Sequence, residues 1–173
     1  MIDHGYGVYL DPLEERNLET MRGWRNNYAI WKTCRQNDVI NAPSHRKWFE
    51  KVCNDPSIKM YEIHHKDVQS PIGVCGLTSI DLYNRRAEFS IYIDPIRQEQ
   101  GHAKAALRTL LSHAFKTLGL NSVWGESFAG NKALSTFEKI GFKHDGLLRA
   151  FYFRDGKYLD AHRVSMLASE WKG

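Results

Sequence analysis

The chain has 173 residues, 42% of them hydrophobic and 25% charged, the balance of a globular protein long enough to bury one sizeable core. Its three cysteines, Cys34, Cys53 and Cys75, show no CxxC spacing, which disfavours a disulfide framework or a zinc site, and no apolar run approaches the roughly 18–20 residues of a membrane span. The polar start at residues 1–5 lacks the pattern of a signal peptide, so a cytoplasmic protein is expected, and the scattered net charge of +4 argues against a nucleic-acid partner.

Tyr6–Leu10 predicts a first strand, ended by Asp11-Pro12. Helical pieces are expected across Glu14–Gly23 and Tyr28–Arg35, and a third opens with Ser44 as N-cap and stops at Asp55-Pro56. Met60–His64 and Ile72–Ile80 read as two strands joined by a polar turn. Ala87–Ile93 alternates, with Phe89, Ile91 and Ile93 on one face and Glu88, Ser90 and Tyr92 on the other. His102–Leu118 carries an apolar stripe at helical spacing, including Leu107, Leu110 and Leu111, and Gly119 is a natural stop. A strand at Ser122–Glu126, a helix at Lys132–Ile140 and strands near Phe142–His144 and Tyr158–Leu167 complete the chain. The order β-αα-βββ-α-β-α-ββ implies a parallel pair across a helix and antiparallel neighbours elsewhere, a mixed α/β sheet. No repeat or linker divides it, so one domain over 1–173 is expected.

The stretch from Ile91 to Lys104 is the most informative. A strand ends at Asp94-Pro95, and a short loop with one glycine, Gly101, leads into the best helix. A helix N-terminus has free N–H groups and partial positive charge, which favour a phosphate. Gly101 lets backbone approach a ligand, Ala103 keeps the first turn narrow, and Arg97 and Lys104 add charge. A plain strand–helix connection is the alternative. Neither a GxxxxGK[ST] nor a GxGxxG pattern is present.

Gln98-x-x-Gly101-x-Ala103 resembles the Q/R-x-x-G-x-G/A signature of GNAT acetyltransferases. The strand Ala87–Ile93, the segment Asn131-Lys132-Ala133 followed by Phe137-Glu138-Lys139-Ile140-Gly141-Phe142, and the ending Gly156–Asp160 resemble further family segments in the same order. The resemblance implies the GNAT fold: a mostly antiparallel sheet with one parallel, splayed pair of strands and helices on both faces. It implies acetyl-CoA as cosubstrate, with its diphosphate on Gln98, Glu99, Gln100, Gly101, His102, Ala103 and Lys104. Pantetheine would lie along the backbone of Ile91, Tyr92 and Ile93 and meet Asn131 and Phe137. No metal is implied. Phe137 stands where many members carry a tyrosine thought to protonate the departing thiolate, and a phenyl ring has no proton to give.

An amine of pKa about 10.4 must lose a proton before attacking a thioester, and a carboxylate suits that task. Glu88, on the polar face beside the expected thioester, and Glu126, on the following strand, are the candidates; a solvated strand position is the other reading of each. The segment Trp24-Arg25-Asn26, with His45, Trp48 and Phe49, resembles amino-sugar N-acetyltransferases. Trp24 and Arg25 are candidate acceptor contacts, as is Tyr152 in the aromatic tail, although aromatics at helical spacing also suit a core. The expected acceptor is a small amine such as an amino sugar or a polyamine. A protein N-terminus or lysine is the alternative, and a non-catalytic acetyl-CoA sensor is a third reading. A homodimer is a further expectation.

Overall fold

A computed structural model describes residues 1–36 and 38–173. In chain order it contains β1 (Ile2–Asp3), β2 (Tyr9–Pro12), α1 (Leu18–Asn26), α2 (Tyr28–Trp31), α3 (Ala42–Asn54), β3 (Lys59–His64), β4 (Gly73–Asp81) and β5 (Arg86–Ile93). There follow α4 (His102–Ser112), β6 (Ser122–Phe128), α5 (Ala133–Ile140), β7 (Lys143–Arg154) and β8 (Lys157–Leu167). The strands make one sheet in the order β1-β2-β3-β4-β5-β6-β8-β7. Every neighbouring pair is antiparallel except β5 and β6.

Period-two alternation divides the apolar residues between two layers. Met60 and Val74 face a cluster with Met21, Trp24 and Ile30 from α1 and α2 and Val52 from α3. Cys75, Leu77, Ala87 and Phe89 face the other side, against Leu107, Leu110 and Leu111 of α4 and Phe137 and Ile140 of α5. Helices thus cover both faces, and each fully buried leucine of α4 contributes roughly 1.5–3 kcal/mol by leaving water.

The boundaries differ from the sequence expectations where side chains other than the apolar stripe decide them. The first long strand begins at Tyr9, because Gly5 and Gly7 adopt φ of 77° and 90° and turn the chain back from β1. The cap of α3 is Asn41, not Ser44: the Asn41 Oδ1 accepts from the Ser44 N–H at 2.8 Å, and Pro43 falls in the first turn. The helix expected over Tyr28–Arg35 lasts one turn. The long helix ends in a π turn over His113–Thr117, where the Leu118 N–H reaches back to the His113 carbonyl, before Gly119 stops it at φ 64°. The short strand expected near Phe142–His144 is the start of a long hairpin, β7 with β8, which turns at Asp155 and Gly156.

The parallel pairing of β5 with β6 covers only Arg86–Ser122, Ala87–Val123 and Glu88–Trp124. Beyond Glu88 the two strands diverge, and the edge of β5 facing β6 is left without strand pairing. An aromatic side chain packs at the point of divergence. The Phe89 ring lies over Gly125, where an added Cβ would come within 2.4 Å of it, and packs edge-on against Phe137 with centroids 5.0 Å apart.

Candidate active site

The divergence of β5 and β6 opens a cleft of about 1190 Å³. One end lies at the start of α4. Asp94 caps a single 3-10 turn by accepting from the Ile96 N–H at 3.2 Å, and the Gln98 side chain ties the loop back to the Ile93 carbonyl at 3.3 Å. Glu99 and Gly101 then take φ of 63° and 85°, so the chain reverses into α4. An added Cβ on Gly101 would meet nothing, so glycine is needed there for its conformation and not for space. The N–H groups of His102, Ala103 and Lys104 open the helix and have no carbonyl one turn earlier to bond. Arg97, Lys104, Lys132 and Lys139 line the same end, with Glu99 the one carboxylate among its described residues. A diphosphate matches this arrangement of free amides and cations.

The middle of the cleft runs along Ile91, Tyr92 and Ile93 on one side and Asn131 and Phe137 on the other. The Asn131 Oδ1 accepts from the Ala133 N–H at 3.0 Å, so its carbonyl end serves the helix start and its NH2 end remains for the cleft. Phe137 is 6% exposed and belongs to the core as much as to the cleft wall. Gln100 does not line the cleft; its side chain returns to the Ile96 carbonyl at 3.4 Å.

At the far end stand the two carboxylates. Glu88 and Glu126 project from the same face of adjacent strands, because Glu88 pairs with Trp124, two residues before Glu126. Both side chains are buried, at 9% and 4% exposure. Their surroundings push them apart. Burial raises the Glu88 carboxyl above its usual range despite the opposing charge and hydrogen bond of Arg35. Burial also acts on Glu126, but the Tyr152 hydroxyl donates to it at 2.6 Å and the Arg163 guanidinium at 2.6 Å. Those bonds outweigh burial and hold Glu126 below the usual range. Tyr152 in turn is pushed up to about 12, by burial first and then by this carboxylate.

Of the candidate acceptor contacts, Arg25 lines the cleft, and its guanidinium lies 5.5 Å from the Tyr92 ring centre. Trp24 does not line it: the ring is 8% exposed in the core and meets Tyr92 edge-on from behind. Tyr152 reaches the site through Glu126. Arg35 is the site residue that sequence reasoning missed. The sequence pattern places it in a helix, yet it lies beyond α2 and contacts both carboxylates. No local pattern links positions so far apart in the chain.

Residues 8–143 match the family described as the acetyltransferase (GNAT) domain. This chain belongs to the GNAT acetyltransferase family. It is 27% identical over 164 residues to a spermidine N(1)-acetyltransferase of Vibrio cholerae, an alignment covering 94% of each. A solved structure of spermidine N-acetyltransferase from Vibrio cholerae, in complex with CoA and spermine, superposes with a TM-score of 0.91 at 25% identity, covering 96% of this chain and 99% of that one. A dodecameric structure of the Vibrio cholerae protein superposes with a TM-score of 0.79 at 26% identity, covering 94% and 95%. The GNAT fold, with its splayed parallel pair, is therefore the fold of this chain, and the protein is an acetyl-CoA-dependent N-acetyltransferase.

Proposed function

We propose that this GNAT enzyme passes the acetyl group directly to the primary amine of a small molecule, with cosubstrate and acceptor bound together in the one cleft. The continuity of that cleft from the Gly101 turn to the Glu88–Glu126 pair carries the reading. Acetyl-CoA supplies an activated thioester. Backbone amides from Gln98 to Lys104 take its diphosphate. The free edge of β5 at Ile91, Tyr92 and Ile93 receives the pantetheine arm as an added strand would be received, with one N–H polarising the acetyl carbonyl. Asn131 donates to the same arm, and Phe137 packs beside it. Glu88, whose raised carboxyl is the better match to a proton acceptor near neutral pH, takes the proton from the attacking amine. Glu126 stays ionised and draws the ammonium in, oriented by Tyr152 and Arg163. The thiolate leaves without a proton from Phe137, which a thiol pKa near about 8.5 allows.

The relatives named as spermidine N-acetyltransferases favour a polyamine acceptor, whose cations suit two carboxylates. A second reading, an amine that also bears an anionic group, such as a phosphate-linked amino sugar, is favoured by the outer end of the cleft. Arg25 has no carboxylate partner there among the described residues, and the His45 Nδ1 and Tyr92 Oη are buried without hydrogen-bond partners. Release of CoA measured with spermidine, spermine, amino-sugar phosphates and short peptides separates these acceptors. Turnover on a small amine and none on peptides is expected. Acetyl-CoA binding without turnover on any amine would overturn the reading and leave a sensor.

The same reading takes 1–173 as one domain and places it in the cytoplasm, where acetyl-CoA is used; Cys34, Cys53 and Cys75 are free thiols. Among the described residues no helix is long and apolar enough to cross a membrane. Self-association is proposed through the β7–β8 hairpin. Phe151, Phe153 and Tyr158 are 52%, 57% and 71% exposed there, an apolar patch of the kind that partners cover. Sedimentation velocity is expected to show an oligomer, reduced in size by Phe153→Asp; a wild-type monomer would overturn this assembly.

A further inference from the structure

The carboxylate pair already holds a cation that belongs to the protein. Arg35 places Nη2 2.6 Å from Glu88 Oε1 and Nη1 3.9 Å from Glu126 Oε2. Its backbone is anchored. The buried Arg154 guanidinium donates to the carbonyls of Trp31, Cys34 and Gln36 at 2.9, 2.7 and 3.1 Å, so both neighbours of Arg35 are tied to one group. Arg154 also lies over the Trp31 ring at 4.7 Å. The Arg35 side chain, in contrast, is 48% exposed while the carboxylates it meets are nearly closed off from water. The anchored backbone aims the side chain, and the half-open stem leaves it a path to solvent.

We propose that Arg35 is a resident stand-in for the ammonium of the acceptor. It occupies the Glu88–Glu126 site when no amine is bound and swings toward solvent as the amine enters. On Glu88, where the Arg35 guanidinium stands at 2.6 Å, an incoming ammonium would meet a like charge at contact distance. The stand-in also sets a threshold. Arg163 stays on Glu126, so without Arg35 the charge left uncompensated is that of Glu88, which would attract any small ammonium ion and be costly to keep ionised. With Arg35 in place, an acceptor must offer further contacts along the cleft to displace it. Arg35 therefore sets an affinity threshold that falls equally on every amine, and only amines with further contacts along the cleft clear it at low concentration. The inference rests on the carboxylate pair being the amine site, as proposed above.

Calorimetry on the full chain saturated with CoA, using propylammonium and spermidine as probes, tests it. Arg35→Ala is expected to bind both probes roughly three- to tenfold more tightly than the wild type, the range that one partly exposed ion pair supplies. Arg35→Lys, which keeps the cation, is expected to stay near the wild type. In steady state with spermidine the Arg35→Ala change is expected in KM and not in kcat. Equal or weaker binding by Arg35→Ala, together with loss of binding on Glu88→Gln, would overturn the stand-in and leave the amine site intact. A gain in Arg35→Ala that survives Glu88→Gln and Glu126→Gln would instead overturn the amine site, and the stand-in with it. Absence of binding by both probes to every variant would also overturn the proposal. Melting curves confirm that each variant is folded.

Discussion

Glu88 and Glu126 are chemically alike and sit on one sheet face, but their neighbours give them opposite tendencies. Glu88 has one mobile cation beside it and is raised by burial, whereas Glu126 is fixed by a hydroxyl and a second guanidinium and is lowered. A proton acceptor must be ionised to work. The rate should therefore fall as pH drops through the raised Glu88 value, at a higher pH than an ordinary carboxylate would give. Glu88→Gln is expected to lower kcat by about a hundredfold, within the range for general-base removal, while acetyl-CoA affinity stays unchanged. A pH–rate profile with the same acid limb in wild type and variant would remove Glu88 from this role. At this scale the sequence exposed chemistry that is local and hid chemistry that is not. The glutamates lie on strands whose alternation names their face, so they could be chosen in advance. Arg35 could not, because its partners come from β5 and β6. Trp24 shows the reverse error: a large aromatic next to Arg25 reads as a binding residue, while α1 turns it into the core.

Among the elements, α4 was the most legible, since its apolar stripe, glycine start and glycine stop agree with one another. The hairpin β7–β8 was the least. β7 is exposed along most of its length, with polar residues at Lys143, His144, Asp145 and Arg149 interrupting alternation, and Ala150 takes φ 49° where the register with β8 shifts. The splay of β5 from β6 is implied by the family resemblance and by no pattern within either strand. The Phe89 ring lying over Gly125 beside it is a contact across strands that no single-strand pattern contains. Gly125→Ala is expected to force that ring aside and to destabilise the protein by about 1–3 kcal/mol, as overpacking of a core does. Thermal unfolding reads this directly. An unchanged melting temperature would mean that Phe89 has room to move. The sign of any effect on acetyl-CoA affinity then reports whether the slot narrows or widens.

On the scale of the whole molecule, the sheet is incomplete: its two halves meet over three residue pairs of β5 and β6 and separate beyond them. Everything from β6 onward, including α5 and the hairpin, joins the first half through those pairs, through the core packing of Val123, Phe137, Ile140 and Met166 with Phe89 and α4, and through the Arg154 bonds to the chain after α2. A ligand that lies between the halves links them as well as reacting there. A hundredfold excess of acetyl-CoA or CoA over its dissociation constant is worth about 2.7 kcal/mol of stability. That corresponds to roughly 5–10 °C in melting temperature for a chain of this size. Differential scanning fluorimetry at graded CoA is expected to show this rise, and a flat response would mean that CoA does not bind the folded chain at these concentrations. Inside a cell the same linkage would make the enzyme's lifetime follow its fuel. At low acetyl-CoA and CoA the folded chain would open more often to proteases, and the catalyst would decline together with the cosubstrate it consumes.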